Sequence, residues 1–190
     1  MKTDKRILRL AIQLIQKHGL SGWSYEDIAQ RIEIKKASIH YYFPSKSDLI
    51  LAAVQQYIAE LKDELETIRF SSQSAKKKLL ALAKIYHGMY QKNDQLCLCV
   101  ILSQNLSHLP AEVGKELDDY FKNLRTFIRT IIREGIDQKE FYLKKSSVEG
   151  SSELFLASLQ GLLLLGNYKI PERHFEQAVS FFLFSIKKID

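Results

Sequence analysis

The residues best suited to chemistry lie between Ser24 and Phe43, in the stretch SYEDIAQRIEIKKASIHYYF. Lys36, Ser38, His40, Tyr41 and Tyr42 fall on one side of a short helical register, with Ile39 and Phe43 on the other. Cations, hydroxyls and aromatic edges gathered this way can hydrogen-bond phosphate oxygens and the exposed edges of bases. The same spacing also occurs in ordinary helical bundles with solvated basic faces, so spacing alone leaves both readings open.

Two short helices and a tight turn must position these side chains. Ser24 followed by Asp27 caps the first, whose Ile28, Ala29 and Ile32 form an apolar stripe. The second begins near Lys35 or Lys36 after a turn at Glu33 and Ile34. Ahead of the pair, residues 3–18 read as an amphipathic helix with Ile7, Leu8, Ala11, Leu14 and Ile15 inward, closed by Gly19. Its early cations, Lys2, Lys5 and Arg6, are either ordinary surface charges or phosphate contacts. Behind the pair, Pro44 stops one helix, and Ser45 with Asp48 resembles a capping box for a long helix from Lys46 to about Ile68. Lys46, at that helix's N-terminus, is a candidate phosphate contact.

As a constellation, residues 3–51 resemble the N-terminal domain of TetR-family transcriptional regulators. The first helix ending in glycine, Asp27-Ile28-Ala29, the run from Ser38 to Phe43, and Ser45-Lys46 followed by Leu49 all match that pattern. The resemblance implies an all-α fold: a three-helix helix-turn-helix DNA-binding domain (1–45), a connecting fourth helix (46–70), and a helical ligand-binding and dimerisation domain (71–190). It implies a DNA-binding regulator, by resemblance a repressor, with Ser24, Tyr25, Lys35, Lys36, Ser38, His40, Tyr41, Tyr42 and Lys46 on the DNA side. Three departures stand out. Glu33 occupies a turn position where the family often has glycine, Lys35 replaces a small polar residue, and Trp23 replaces a small hydroxyl residue and could serve packing, a phosphate-side contact, or both.

Composition narrows the alternatives. The chain has 190 residues, 46% of them hydrophobic, three prolines and a net charge of +6, which suits a folded helical protein. Residues 1–50 hold nine Lys/Arg against five Asp/Glu, so most of the net charge sits in the segment that would meet phosphates. The charged first helix argues against a signal peptide, and the apolar run from Leu154 to Leu165, about a dozen residues, is short for a bilayer. Two cysteines without secretory features fit a reducing cytoplasm. No nucleophile elbow, phosphate-cradling glycine loop or HExxH is present, so the expectation is not an enzyme, with no cofactor and no metal. A helical adaptor without a DNA role is the alternative; it explains the bundle but not the clustered cations.

Residues 71–74 form a polar link into the second half. Helices are expected from Ala75 to about Lys92, Leu96 to Leu106, Pro110 to about Gly135, Val148 to about Asn167 and Pro171 to about Lys188. The last two carry more apolar surface than a hairpin covers, and the resemblance implies a homodimer through them. For a small-molecule effector the candidate lining is Tyr86, His87, Tyr90, Asn105, Phe121, Phe127 and Gln160, aromatic surface with a few polar tips. Cys97 lies near a helix N-terminus and is either a small buried hydrophobe or a thiol sensor, with Lys169 as a nearby cation. If Cys97 and Cys99 both lie on a helix, their sulfurs point about 200° apart.

Overall fold

The computed structural model describes residues 2–91, 96–143, 147–166 and 172–186. Among these, nine α-helices follow in order: α1 (Thr3–His18), α2 (Tyr25–Ile32), α3 (Lys36–Tyr42), α4 (Lys46–Arg69), α5 (Ala75–Gln91), α6 (Leu98–Ser103), α7 (Ala111–Asp137), α8 (Val148–Gly166) and α9 (Glu172–Ser185). A 3-10 turn, Leu106–His108, separates α6 from α7. The all-α class expected from the sequence is therefore the observed one.

The chain divides into two compact units, Met1–Lys62 with Gln95–Tyr120, and Asp63–Asp94 with Phe121–Asp190. The first is built on α1, which packs against α2 and α6, while α2 packs against α3. Its core takes Ile7, Ala11, Leu14 and Ile15 from α1, Ile28 and Ala29 from α2, Ile39 from α3, and Leu49, Ala53 and Val54 from α4. Leu8 is only half-buried. α1 ends because Gly19 takes φ 73°, open to glycine without the Cβ penalty, and its N–H closes on the Ile15 carbonyl at 2.9 Å. The buried Gln16 amide donates to the Leu96 carbonyl at 2.8 Å, which fixes the strand of chain leading into α6.

In the second unit α5, α8 and α9 pack on one another around Leu79, Leu82, Tyr86, Phe155, Leu159, Val179 and Phe182. The rings of Phe155 and Phe182 lie 4.7 Å apart. Glu140 accepts from the Ala75 and Lys76 N–H groups, both at 3.2 Å, so a distant carboxylate caps α5 where its own sequence supplies none. Lys78, nearly buried, donates to Glu134 at 2.9 Å and to the Arg69 carbonyl at 3.0 Å.

One sequence expectation changes here. The helix expected over Leu96 to Leu106 shrinks to six residues and a 3-10 turn, because Asn105 turns its side-chain amide back to the Ile101 carbonyl at 3.1 Å and breaks the register. The apolar dozen, residues 154–165, keeps its expected length and forms the latter part of α8. Val148–Leu165 is 18 residues of mean hydropathy 1.2, long and apolar enough by length and composition to cross a membrane, with 33% of it buried inside the protein. The residues ahead of the apolar dozen, 148–153, are mostly small or polar and include Glu149 and Glu153.

Candidate nucleic-acid interface

The turn between α2 and α3 begins with an unusual backbone. Glu33 lies in the left-handed region (φ 55°, ψ 48°), its N–H and that of Ile34 both returning to the Ala29 carbonyl. The strain anticipated for a non-glycine residue at this position is thus present. Upstream, Ser24 and Asp27 form a reciprocal capping box: the Ser24 N–H and hydroxyl each lie 2.7 Å from the Asp27 carboxylate. Those bonds hold the Asp27 carboxyl below its usual pKa, the Ser24 hydroxyl being the largest cause. Ser45 and Asp48 repeat the device at the start of α4, at 2.7 and 2.9 Å.

α3 is short, and its outward face is open. Tyr41 is 82% and Tyr42 43% exposed, their rings edge-on at 5.3 Å. Lys35, Lys36 and His40 are exposed and Ser38 half-buried, whereas Ile39 and Phe43 face the core. His40 Nδ1 lies 3.3 Å from the Pro44 carbonyl oxygen, which can only accept, so Nδ1 carries the proton and Nε2 is left to face outward. Its ring stands 4.8 Å from that of Tyr25.

Tyr25, grouped with the DNA side from sequence, is placed elsewhere. It is buried, and its hydroxyl donates to the Ser45 carbonyl at 2.6 Å with the Phe43 carbonyl at 2.9 Å also in reach. Burial, aided by the Asp48 carboxylate, pushes its pKa up to about 12. Tyr25 is therefore a strut that ties α2 to the α3–α4 joint, a role no periodicity announces. Lys46 is half-buried: its ammonium donates to the Trp23 carbonyl at 2.8 Å and sits 4.2 Å from the Trp23 ring centroid. Burial lowers its pKa below the usual lysine value, with Asp27 opposing. Arg6 does not stand free at the surface but donates to the Ile32 carbonyl at 3.2 Å, at the negative end of α2.

Of the effector candidates whose side chains are described, His87 lines the cavity between α5 and α9. Tyr86 is fully buried and accepts from Gln160 at 3.1 Å. His87 stacks on Phe175 at 5.1 Å, and that cavity, of about 550 Å³, is walled by Leu80, Ala83, Phe175 and Val179 with Lys84 and Glu176 also on its lining. Phe121 and Phe127 are half-buried on α7, and Asn105 belongs to the other unit. The Tyr90 side chain and Lys169 lie outside the described residues.

The geometry expected of the cysteines is overturned. Cys97 is not helical but the N-cap of α6 (φ −59°, ψ 121°), so the spacing of about 200° between two helical positions does not apply to the pair. Cys97 Sγ lies 3.5 Å from the Tyr120 hydroxyl, and both thiols are buried. The donors, Cys99 foremost, lower the Cys97 pKa to about 6; burial raises that of Cys99.

A capped helix, a tight turn and a second helix with an open polar face define a helix-turn-helix protein. Residues 7–53 match the family model described as bacterial regulatory proteins, tetR family. A crystal structure of a TetR-family transcriptional regulator from Agrobacterium tumefaciens superposes with a TM-score of 0.90 at 27% identity, covering 97% of each chain. The probable HTH-type transcriptional regulator YttP of Bacillus subtilis is 28% identical over 144 residues, 74% of this chain and 68% of that protein. The biofilm operon icaADBC HTH-type negative transcriptional regulator IcaR of Staphylococcus aureus is 25% identical over 154 residues, 80% of each. The chain belongs to the TetR family and is a helix-turn-helix transcriptional regulator.

Proposed function

We propose that the protein is a cytoplasmic, homodimeric repressor that binds a palindromic operator and is released by a small-molecule or thiol-reactive signal. The observation that carries the DNA-binding side is the open face of α3, where 82% exposed Tyr41, Tyr42, His40 and Lys36 stand together on a helix anchored from behind by Ile39 and Phe43. Ser38, His40 and Tyr41 read base edges; Tyr42, Lys35, Lys36, Lys46 and Ser24 hold phosphates. Negative regulation by the IcaR proteins supports the repressor reading. Exposed Leu154, Leu164 and Leu165 on α8 and Phe181 and Phe184 on α9 support a dimer through those helices.

Release requires that the signal bind the DNA-free state more tightly than the DNA-bound one. The α5–α9 cavity is one receiving site. The Cys97 thiol is the other: the Tyr120 hydroxyl beside it and its lowered pKa support the thiol-reactive branch.

A salt titration of the purified protein against random duplex and against DNA flanking its own gene, with and without an electrophile, tests the reading. Tight binding to the flanking DNA, lost on thiol modification and retained by Cys97→Ser under the same treatment, is the expected outcome. Equal, weak binding to both duplexes returns the chain to a helical adaptor. Tyr41→Ala should change the preferred operator sequence as well as the affinity, read by selection from a randomised duplex pool.

A further inference from the structure

Trp23 is the one tryptophan of the chain and sits in the connection between α1 and α2, yet only 5% of it is exposed. Its indole Nε1 is buried with no hydrogen-bond partner among the described groups. A buried donor left unsatisfied carries a cost, so something else must keep the ring there. The ring face is what is used: the Lys46 ammonium lies 4.2 Å from its centroid, and the Trp23 carbonyl accepts from the same ammonium at 2.8 Å. One residue thus holds the cation from two sides, across the gap between the α1–α2 connection and the first residue of α4.

A lysine ammonium has three donors. The Trp23 carbonyl takes one and the ring face a second, which leaves the third for an external anion on the exposed part of the side chain. A long side chain held in advance forfeits less freedom when it binds. We propose that Trp23 is a positioning residue for DNA binding, presenting the Lys46 ammonium, already fixed, to one backbone phosphate. This rests on Lys46 being a phosphate contact, and the two claims fail in different ways.

The single tryptophan supplies its own probe. In the full chain, Trp23 emission should change as random-sequence duplex is added and recover as salt releases the DNA; in Lys46→Met the response should vanish. Trp23→Leu, which keeps an apolar side chain without the ring face, should weaken binding to random duplex about five- to tenfold with the salt slope unchanged. Trp23→Phe, which keeps a face and gives up only a donor that has no partner, should restore most of that affinity. Wild-type affinity in Trp23→Leu, or an emission that ignores bound DNA, overturns the positioning role, and the emission arm decides alone if Trp23→Leu does not fold. A salt slope unchanged in Lys46→Met, where a loss of about one unit is expected, instead removes Lys46 from the phosphate set.

Discussion

Glu33 and Tyr25 show how single residues set the turn on which the DNA face depends. Glu33 holds a left-handed backbone at a position glycine occupies without penalty. Glu33→Gly should therefore raise stability by up to about 1 kcal/mol, measured by urea unfolding; a loss of stability would mean the Glu33 side chain makes up for its backbone. Tyr25→Phe removes the hydroxyl bound to the Ser45 carbonyl and should cost roughly 1 kcal/mol while loosening α3 and weakening DNA binding. Its pH signature is specific. Because the folded pKa is raised from 10 to about 12, the folded state keeps the proton after the unfolded chain has lost it. The stabilisation this brings is complete below about pH 10 and disappears as pH rises toward 12. Stability measured across that window should fall more gently in Tyr25→Phe than in the wild type.

At the scale of elements, the helices legible in the sequence were those with a long apolar period or explicit caps. α1 and α4 have the long period, and at the starts of α2 and α4 Ser24/Asp27 and Ser45/Asp48 close as capping boxes just where their spacing places them. α6 is shorter than its sequence implies because apolar residues continue past the point where Asn105 folds back on Ile101, so composition outlasts the helix. Helical spacing does not relate the two cysteines for a similar reason: Cys97 sits one residue outside the helix. Contacts distant in sequence, such as Glu140 on the start of α5 or Lys46 on Trp23, leave no local pattern to read. α7 offers a test of one such contact. Gly135 faces the buried ring of Phe141 with no room for a Cβ, so Gly135→Ala should force the ring aside and cost about 1–3 kcal/mol, despite alanine's better helix propensity. Calorimetry showing a higher midpoint for Gly135→Ala would mean the ring moves freely.

For the whole molecule the decisive quantity is the apolar surface that one chain leaves uncovered. On α9, Phe175, Val179, Phe182 and Leu183 turn inward, while Phe181 and Phe184 remain 76% and 72% exposed. On α8, Leu154 and Leu165 share a stripe turned about 110° from that of Phe155 and Leu159, and both are at least half exposed. Scattered exposed leucines are ordinary, but two phenylalanines on one short helix beside a run of leucines form a patch that water disfavours. A two-fold pairing would let each patch cover its copy and would match two recognition helices to the two halves of a palindrome. Phe181→Asp with Phe184→Asp places charge in that patch without touching the inward side chains. Sedimentation should then give a species near 22.0 kDa where the wild type gives twice that mass. Random-duplex binding by each chain should persist, while operator binding loses the gain of holding two half-sites at once. An unaltered dimer would place the pairing surface on other helices, and the exposed phenylalanines would then need another partner.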